Sequence, residues 1–305
     1  MRFIANPSSK SGKGRKLWAF WKNALAETGM PFEWVETRDS VHACLLAREY
    51  TGAVVAVGGD GTINQVLNGV MMSENPAEMG VLYAGTSPDF CRFHNIPTDP
   101  EKALQVVLQK EMEPVDVLKI IFSDQRKCYA GCSVNIGMGA DVALFANRWR
   151  RFLGDVPGTG VGVVKSILRH SPFDAEISVD GVERVFEKIN HIFIIKNPLI
   201  ASNLKLNLDI KPNDGKMYVF VLQKMKKIEL LSSIGRFYTG KIVNDARFFV
   251  ARCRNISIRT SCVKAVEFDG DPGGSTDISV RLVPGALNLI KKMTANEEVP
   301  WMRNF

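Results

Sequence analysis

The sequence predicts an α/β domain with a parallel sheet, followed by a β-rich domain with an antiparallel, sandwich-like sheet. Up to about residue 115, short apolar runs alternate with segments of helical periodicity, as in parallel α/β proteins. Beyond that point most apolar runs are strand-like, with Asp-Gly turn dipeptides between several of them. A chain of 305 residues also exceeds one ordinary core. We therefore expect an α/β domain in residues 1–115, completed by the tail 286–305, and a β-rich domain in 116–285.

The first half alternates four predicted strands with four predicted helices. The strands are Arg2–Ala5, Phe32–Val35, Ala53–Val57 and Met79–Tyr83, and the helices are Ser11–Thr28, Ser40–Tyr50, Ile63–Met72 and Pro100–Lys110. The third strand is wholly apolar, which is typical of a strand buried on both faces of a parallel sheet. The order of elements therefore favours a parallel sheet covered by helices.

The second half is dominated by predicted strands. These are Val117–Phe122, Cys128–Asn135, Ala175–Val179, Ile189–Ile195, Met217–Leu222, Arg247–Val250, Ile256–Arg259 and Ile278–Val283. A helical insert, roughly Asp141–Arg169, interrupts them, and the apolar spacing of Ala286–Met293 predicts a helix that returns to the first domain. This half is expected to form an antiparallel sandwich or barrel.

Composition and charge exclude several classes of protein. With 46% hydrophobic and 23% charged residues, the chain is neither disordered, nor collagen-like, nor a coiled coil. Six cysteines without a C-x-x-C spacing favour a reduced, cytoplasmic protein, and we expect neither a signal peptide nor a transmembrane span. The net charge of +7 is uneven: 1–115 carries 11 basic and 13 acidic residues, whereas 116–280 carries 24 and 17. The positive excess therefore belongs to the second half.

The strongest motif is Gly58-Gly59-Asp60-Gly61-Thr62, which lies between a buried strand and a helix. Glycines let a ligand approach the main chain, and the following helix N-terminus offers unpaired N–H groups and a positive dipole to a phosphate. A plain strand-to-helix turn capped by Asp60 is the alternative. Three glycines around one Asp and one Thr favour a phosphate site.

Two further loops follow neighbouring strands. Residues 6–14 read NPSSKSGKG and lack the Walker A spacing, while residues 84–90 read AGTSPDF. Taken alone, the first of these loops is equally typical of a capped, solvated helix start. All three loops end parallel strands, however, and ligands of open α/β sheets bind at that edge. Their convergence predicts one phosphate-binding site.

These motifs together resemble a known family. GGDGTINQVLNGV (58–70), GTSPDFCRFHNIP (85–97), NPSSKSGKG (6–14) and FDGDPGG (268–274) are similar, in this order, to the catalytic domain of diacylglycerol kinases and related bacterial lipid kinases, with sphingosine and ceramide kinases as further relatives. The resemblance implies two domains with ATP and Mg²⁺ between them, and a lipid substrate whose hydroxyl is phosphorylated at the cytoplasmic face of a membrane. It is compatible with a homodimer, although the sequence does not fix the oligomeric state or the acceptor lipid.

The resemblance also implies roles for particular residues. The ATP-binding set is Asn6, Lys10, Thr37, Gly58, Gly59, Asp60, Gly61, Thr62, Ile63, Asn64, Gly85 and Thr86. The catalytic residues would be Asp271, as the base, and Asp60, which with Asp89 belongs to the Mg²⁺ network. Asp214 matches a position that binds a structural Mg²⁺ in some members, together with the main-chain carbonyls of Lys211 and Lys216.

The sequence departs from the family pattern at several positions. Asp271 replaces the usual Glu and shortens the base by one methylene, Pro88 replaces an Asn, and Gln65 replaces a frequent Glu. Residues 197–204 read NPLIASNL where a glycine-rich stretch is common. From the residues alone, Asp269-Gly270-Asp271 is more often a hairpin turn than a catalytic site, and the resemblance favours the catalytic interpretation.

The sequence indicates the surface that would contact lipid less clearly than it indicates the phosphate site. Aromatic and basic residues alternate in the helical insert, which suits a membrane interface but also an ordinary amphipathic helix. They are Phe145, Arg148, Trp149, Arg150, Arg151 and Phe152. Two other hypotheses remain open: a soluble kinase of the NAD-kinase type, and a non-catalytic nucleotide- or lipid-binding relative. Nucleic-acid binding is disfavoured because no recognised fold or aromatic-basic ladder supports it.

Overall fold

The computed structural model describes residues 1–138, 155–200, 204–230 and 247–292. Its first region is built on four parallel strands with helices around them. The strands are β1 (Arg2–Ala5), β2 (Glu33–Glu36), β3 (Val54–Gly58) and β4 (Met79–Tyr83). The helices are a 3₁₀ turn (Lys13–Leu17), α1 (Trp18–Glu27), α2 (Ser40–Arg48), α3 (Asp60–Met72), α4 (Asp89–Phe93) and α5 (Pro100–Gln109). The predicted alternation of strand and helix is confirmed.

The strand order in this region is β2-β1-β3-β4, with every pair parallel. All residues of β3 and β4 are buried, as expected for central strands covered on both faces. Two apolar clusters cover the sheet, one around Trp21 and Phe3 and the other around Ile63 and Leu67. This arrangement brings the loops after β1, β3 and β4 to one edge of the sheet.

The second region contains the remaining strands and the helix of the predicted insert. The strands are β5 (Met112–Phe122), β6 (Lys127–Ala130), β7 (Ser133–Gly137), β8 (Phe173–Val179), β9 (Val182–Ile189), β10 (His191–Ile195), β11 (Leu199–Ile200), β12 (Leu204–Lys205), β13 (Met217–Leu222), β14 (Phe248–Cys253), β15 (Asn255–Thr260), β16 (Ala265–Phe268), β17 (Asp271–Ser275) and β18 (Ile278–Ile290). The helix is α6 (Asp155–Arg169), the described part of the predicted insert.

Two sheets of this region face each other across one core. One runs β14-β13-β10-β7-β16-β17 and is antiparallel throughout. The other contains β5, β6, β8, β9, β15 and β18. Their shared cluster includes Ile120 and Ile258 from one sheet and Ile136 and Ile194 from the other. Of the two predicted alternatives, the sandwich is the one observed.

Residues 286–290 belong to a strand, so the helix predicted over Ala286–Met293 is wrong. β18 continues to Ile290, pairs with β5 along most of its length, and meets β4 in parallel where Leu289 faces Met79. Backbone pairing on both sides overrides the local apolar spacing. Through this pairing one continuous sheet joins the two regions.

Candidate active site

Three loops meet at the carboxyl edge of the parallel sheet. The N–H of Ala84 donates to the carbonyl of Gly58 at 2.7 Å, which joins the loops after β3 and β4. A Cβ on Gly14 would lie 3.2 Å from the Cβ of Ala84, and one on Gly59 would lie 3.2 Å from the Cα of Gly85. The main chains are therefore packed against each other, and the sequence-predicted convergence is present.

Gly58 is required by this packing. A Cβ there would lie 2.4 Å from Thr62 Oγ1 and 2.9 Å from Ser9 Oγ, both closer than real Cβ contacts. Asn6 Nδ2 donates to the same Thr62 Oγ1 at 3.0 Å. The buried Ser9 hydroxyl has no hydrogen-bond partner among the described residues. The first loop thus brings one amide group and one unpaired hydroxyl to the glycine turn.

The N-terminus of α3 is left open. Its N-cap residue is Gly59, and no side chain caps the helix. The N–H of Ile63 already donates to the Gly59 carbonyl at 3.0 Å, and the Ile63 side chain is buried in the core. Of the predicted ATP-binding residues, Ile63 therefore offers no group to a ligand, whereas the first turn, 60–62, lies at the positive end of the helix dipole.

Asp60 lies in a partly buried, acidic environment. Burial, together with the negative charges of Asp89 and Asp269, raises its pKa to about 7, against a hydrogen bond from the Tyr83 hydroxyl at 3.1 Å that lowers it. The carboxylates of Asp89 and Asp269 are thus close enough to Asp60 to affect its pKa. Tyr83 ends β4 and was not among the predicted site residues.

The second domain contributes a tightly held turn. Both oxygens of Asp269 accept hydrogen bonds: Oδ1 from the N–H groups of Cys132 at 2.8 Å and Ser133 at 3.0 Å, and Oδ2 from the N–H of Gly131 at 2.7 Å and Asn64 Nδ2 at 2.9 Å. The last bond joins α3 to the second domain. Asp269 is therefore the residue that holds this turn against the glycine loop.

Asp271, two residues further on, faces the glycine loop itself. Its Oδ2 lies 2.8 Å from the position that a Cβ on Gly61 would occupy. Burial raises its pKa, and the charge of Asp269 raises it further. In the part of the chain that the structure describes, no hydrogen bond holds this carboxylate. The shorter Asp side chain thus reaches the first domain.

Two polar contacts behind this turn were not predicted. Glu267 accepts hydrogen bonds from Asn135 Nδ2 and the N–H of Gly270, and burial raises its pKa to about 7. Asn68 donates to the Tyr129 carbonyl at 2.8 Å and accepts from the Tyr129 N–H at 2.8 Å. Asn68 is one helical turn after Asn64 on the same face of α3, a spacing that the sequence does show.

Other predicted residues lie at the periphery. The N–H of Thr37 donates to the Ala5 carbonyl at 2.8 Å, and its side chain is buried beside β1. Thr86 and Lys10 are exposed on their loops. Pro88 is the N-cap of α4, which begins at Asp89. These positions border the site, but within the residues that the structure describes none of them forms a hydrogen bond with Asp60 or Asp271.

The predicted structural magnesium ligands surround a lysine. Lys196 Nζ lies 2.9 Å from Asp214 Oδ1, 2.7 Å from the Lys211 carbonyl and 3.3 Å from the Lys216 carbonyl. A divalent cation cannot share this position with an ammonium group. The residues present therefore do not fit a structural metal.

Comparison with known proteins identifies the two regions. The diacylglycerol kinase catalytic domain matches residues 1–120, and the YegS C-terminal NAD kinase beta sandwich-like domain matches residues 132–291. A diacylglycerol kinase of Bacillus subtilis (strain 168) is 26% identical over 292 residues, covering 90% of each chain. A putative lipid kinase of Staphylococcus haemolyticus is 24% identical over 240 residues, covering 78% of this chain and 75% of the relative.

A solved structure gives the same fold. A putative diacylglycerol kinase from Bacillus anthracis superposes with a TM-score of 0.76 at 21% identity, over 95% of this chain and 97% of that chain. In the described residues no helix is both long and apolar enough to cross a membrane. The glycine loop, the facing Asp271 and the matches to both domains lead to one conclusion: the chain belongs to the diacylglycerol kinase family and is a lipid kinase.

Proposed function

We propose that the protein is an ATP- and Mg²⁺-dependent kinase that transfers the γ-phosphoryl group to a hydroxyl of a lipid such as diacylglycerol. The observation that carries this proposal is the position of Asp271 Oδ2, 2.8 Å from where a Cβ of Gly61 would lie. A carboxylate from one domain thus faces a phosphate-type loop of the other. Phosphoryl transfer needs such positioning more than covalent chemistry.

The residues divide into three roles. The glycine loop and the open end of α3 bind the phosphates, with Asn6 and Ser9 beside them. Asp271 accepts the proton of the attacking hydroxyl, whose oxygen forms the new bond to phosphorus while the bond to the ADP oxygen breaks. Asp269 only holds the turn, because its oxygens are already occupied by four N–H donors.

Mg²⁺ would be held by Asp60 and Asp89 together with the phosphates. No group of three or more metal-ligating side chains occurs among the described residues. Mg²⁺ in kinases commonly takes one or two carboxylates and completes its shell with phosphate oxygens and water. Besides burial, the negative charge of Asp89 raises the pKa of Asp60, and a cation held by both carboxylates would offset their repulsion. The ion would supply positive charge to the transferring phosphoryl group.

Membrane contact belongs to the same proposal. Arg148, Arg150 and Arg151 lie outside the described residues, but α6 carries exposed Val164 and Leu168 one helical turn apart, 41% and 55% exposed. Lys227 donates from Nζ to the Leu168 carbonyl at 2.6 Å, so basic charge borders this apolar surface. Apolar side chains bordered by lysines suit an anionic membrane. We propose that α6 contacts the bilayer that supplies the lipid.

Phosphorylation assays test the activity. Labelled ATP, Mg²⁺ and mixed micelles of diacylglycerol or a sphingoid base are offered to the wild type and to Asp271→Asn. We expect transfer to one lipid class by the wild type only. Transfer to NAD without lipid would instead identify a soluble kinase, and ATP binding without transfer to any acceptor would identify a non-catalytic relative.

Vesicle sedimentation tests the membrane surface. The double variant Val164→Ser/Leu168→Ser should bind phosphatidylglycerol-containing vesicles less than the wild type does, with ATP affinity unchanged. Val185→Ser is the control, because Val185 is 72% exposed but lies on β9 rather than on α6. Equal loss in both variants would contradict a specific role for α6.

A further inference from the structure

A buried lysine occupies the centre of the cluster in which some relatives are expected to bind a structural Mg²⁺. Lys196 follows β10 directly, and its side chain is fully buried. Four oxygens surround Nζ: the Lys211 carbonyl at 2.7 Å, Asp116 Oδ2 at 2.8 Å, Asp214 Oδ1 at 2.9 Å and the Lys216 carbonyl at 3.3 Å. Two carboxylates and two carbonyls are the ligand types of a hard divalent cation.

We propose that the ammonium group of Lys196 replaces the structural metal, so that this cluster needs no divalent cation. A buried charge is retained only when it is paired and hydrogen-bonded, and Lys196 satisfies both conditions. Lys216 Nζ, which pairs with Asp209 Oδ2 at 2.9 Å, also lies 3.7 Å from Asp214 Oδ2 and adds a second positive group beside the cluster. A metal ion entering this site would meet two ammonium groups.

Asp116, the other carboxylate beside Lys196, connects three segments of the fold. It was not among the predicted metal ligands, yet its Oδ2 also accepts the N–H of Gly215 at 2.8 Å and its Oδ1 accepts the N–H of Gly285 at 3.0 Å. It thereby joins β5, the loop 211–216 and β18. Lys196 neutralises the carboxylate at which these three segments meet.

The cluster also lies close to the active site. The N–H groups of Lys196 and Asn197 both donate to the Cys132 carbonyl, at 2.9 and 3.0 Å. Asn197 Nδ2 donates to the carbonyl of Asp89 at 2.9 Å. The residue after the buried lysine therefore contacts the loop that carries the proposed Mg²⁺ ligand. Lys196 is a positioning residue in this respect, and it does not contact the reacting groups.

The distances predict which metal a vacated site would take. The oxygens are spaced for an N–H···O contact of roughly 2.8 Å, whereas Ca²⁺ binds oxygen at about 2.3–2.6 Å and Mg²⁺ at about 2.0–2.1 Å in a stricter octahedron. Removing the lysine side chain should therefore create a site that accepts Ca²⁺ more readily than Mg²⁺. This expectation does not depend on the acceptor lipid.

Thermal unfolding of the nucleotide-free full chain tests the proposal. The wild-type Tm should be the same in EDTA, in about 10 mM MgCl₂ and in about 10 mM CaCl₂. Lys196→Ala should lower the Tm in EDTA by roughly 10 °C, because two carboxylates lose their counter-charge, and CaCl₂ should restore about half of that loss. If this variant does not fold in EDTA, its refolding yield in CaCl₂ is compared with its yield in EDTA, and the yield should be higher in CaCl₂.

Lys291→Ala is the matched control. Lys291 is also buried, but it forms an ion pair with a single carboxylate, that of Glu113. Its replacement should lower the Tm without creating a response to CaCl₂. Two results would overturn the proposal. One is a calcium-induced rise in the Tm of Lys196→Ala that is no larger than that of Lys291→Ala. The other is a wild-type Tm that EDTA lowers, together with a Tm of Asp214→Asn that EDTA no longer lowers.

Discussion

The glycine loop of the first domain and the Asp269–Asp271 turn of the second face each other, but they depend on opposite features. The glycine loop depends on missing side chains, because a Cβ on Gly58 would lie 2.4 Å from Thr62 Oγ1. The turn depends on carboxylates, and its two aspartates differ in role. Asp269 is held by four hydrogen bonds, whereas no hydrogen bond within the described residues constrains Asp271. The proposed base and the residue that holds the turn are thus two positions apart.

The largest effect is expected at Asp271. Asp271→Asn removes the proton acceptor and should lower kcat by about 1,000-fold, while ATP affinity and the free energy of unfolding stay close to those of the wild type. Steady-state kinetics and nucleotide titration measure this. Asp271→Glu keeps the carboxylate and should retain far more activity than Asp271→Asn. Equal rates in the two variants would show that Asp271 is not the base.

The anchor should affect stability instead. Asp269→Asn replaces one acceptor oxygen by an NH₂ group that faces N–H donors, and should lower the free energy of unfolding by about 3 kcal/mol. Urea denaturation measures the change. Asp180→Asn is the control, because Asp180 occupies a comparable Asp-Gly turn and accepts two backbone N–H groups, but it is exposed. A similar loss in both variants would remove the distinction between the two turns.

Adding one methyl group at Gly58 tests whether the glycine loop depends on the absence of side chains. Gly58→Ala should destabilise the protein by about 2 kcal/mol through overpacking and weaken ATP binding, since Thr62 and Ser9 must move. Gly160→Ala, on α6 with nothing within 4 Å of the added Cβ, should be neutral or slightly stabilising. ATP affinity and chemical denaturation measure both variants. Unchanged ATP affinity in Gly58→Ala would contradict the proposed phosphate loop.

The smallest effect concerns pH. The pKa values of Asp60 and Glu267 are raised to about 7 in the folded protein, from ordinary values near 4. The folded state therefore binds protons that the unfolded state has lost, and the free energy of unfolding should fall as the pH rises from about 4 to 7. Denaturation in EDTA measures this slope. Glu267→Gln should reduce it, and an unchanged slope would exclude Glu267 as a contributor.

Much of the fold, and the glycine loop of the site, can be predicted from local sequence. Residues 53–57 predict a buried strand because they are uniformly apolar, and the glycine motif predicts a phosphate loop because its conformational freedom is local. The tail could not be predicted in the same way. Residues 286–290 have helical spacing, yet β18 forms because β5 and β4 provide hydrogen-bonding partners that local periodicity does not reveal.

The sequence by itself determined the order of elements, the glycine loop and the family, because these depend on residue types and short spacings. The tertiary structure decided which aspartate anchors and which one faces the site, since the contact of Asn64 with Asp269 spans 205 residues. It also decided that Lys196 lies among the predicted metal ligands, 15 residues from Lys211 and 80 from Asp116 along the chain. Such contacts depend on how the sheets pair, and no local pattern encodes that pairing.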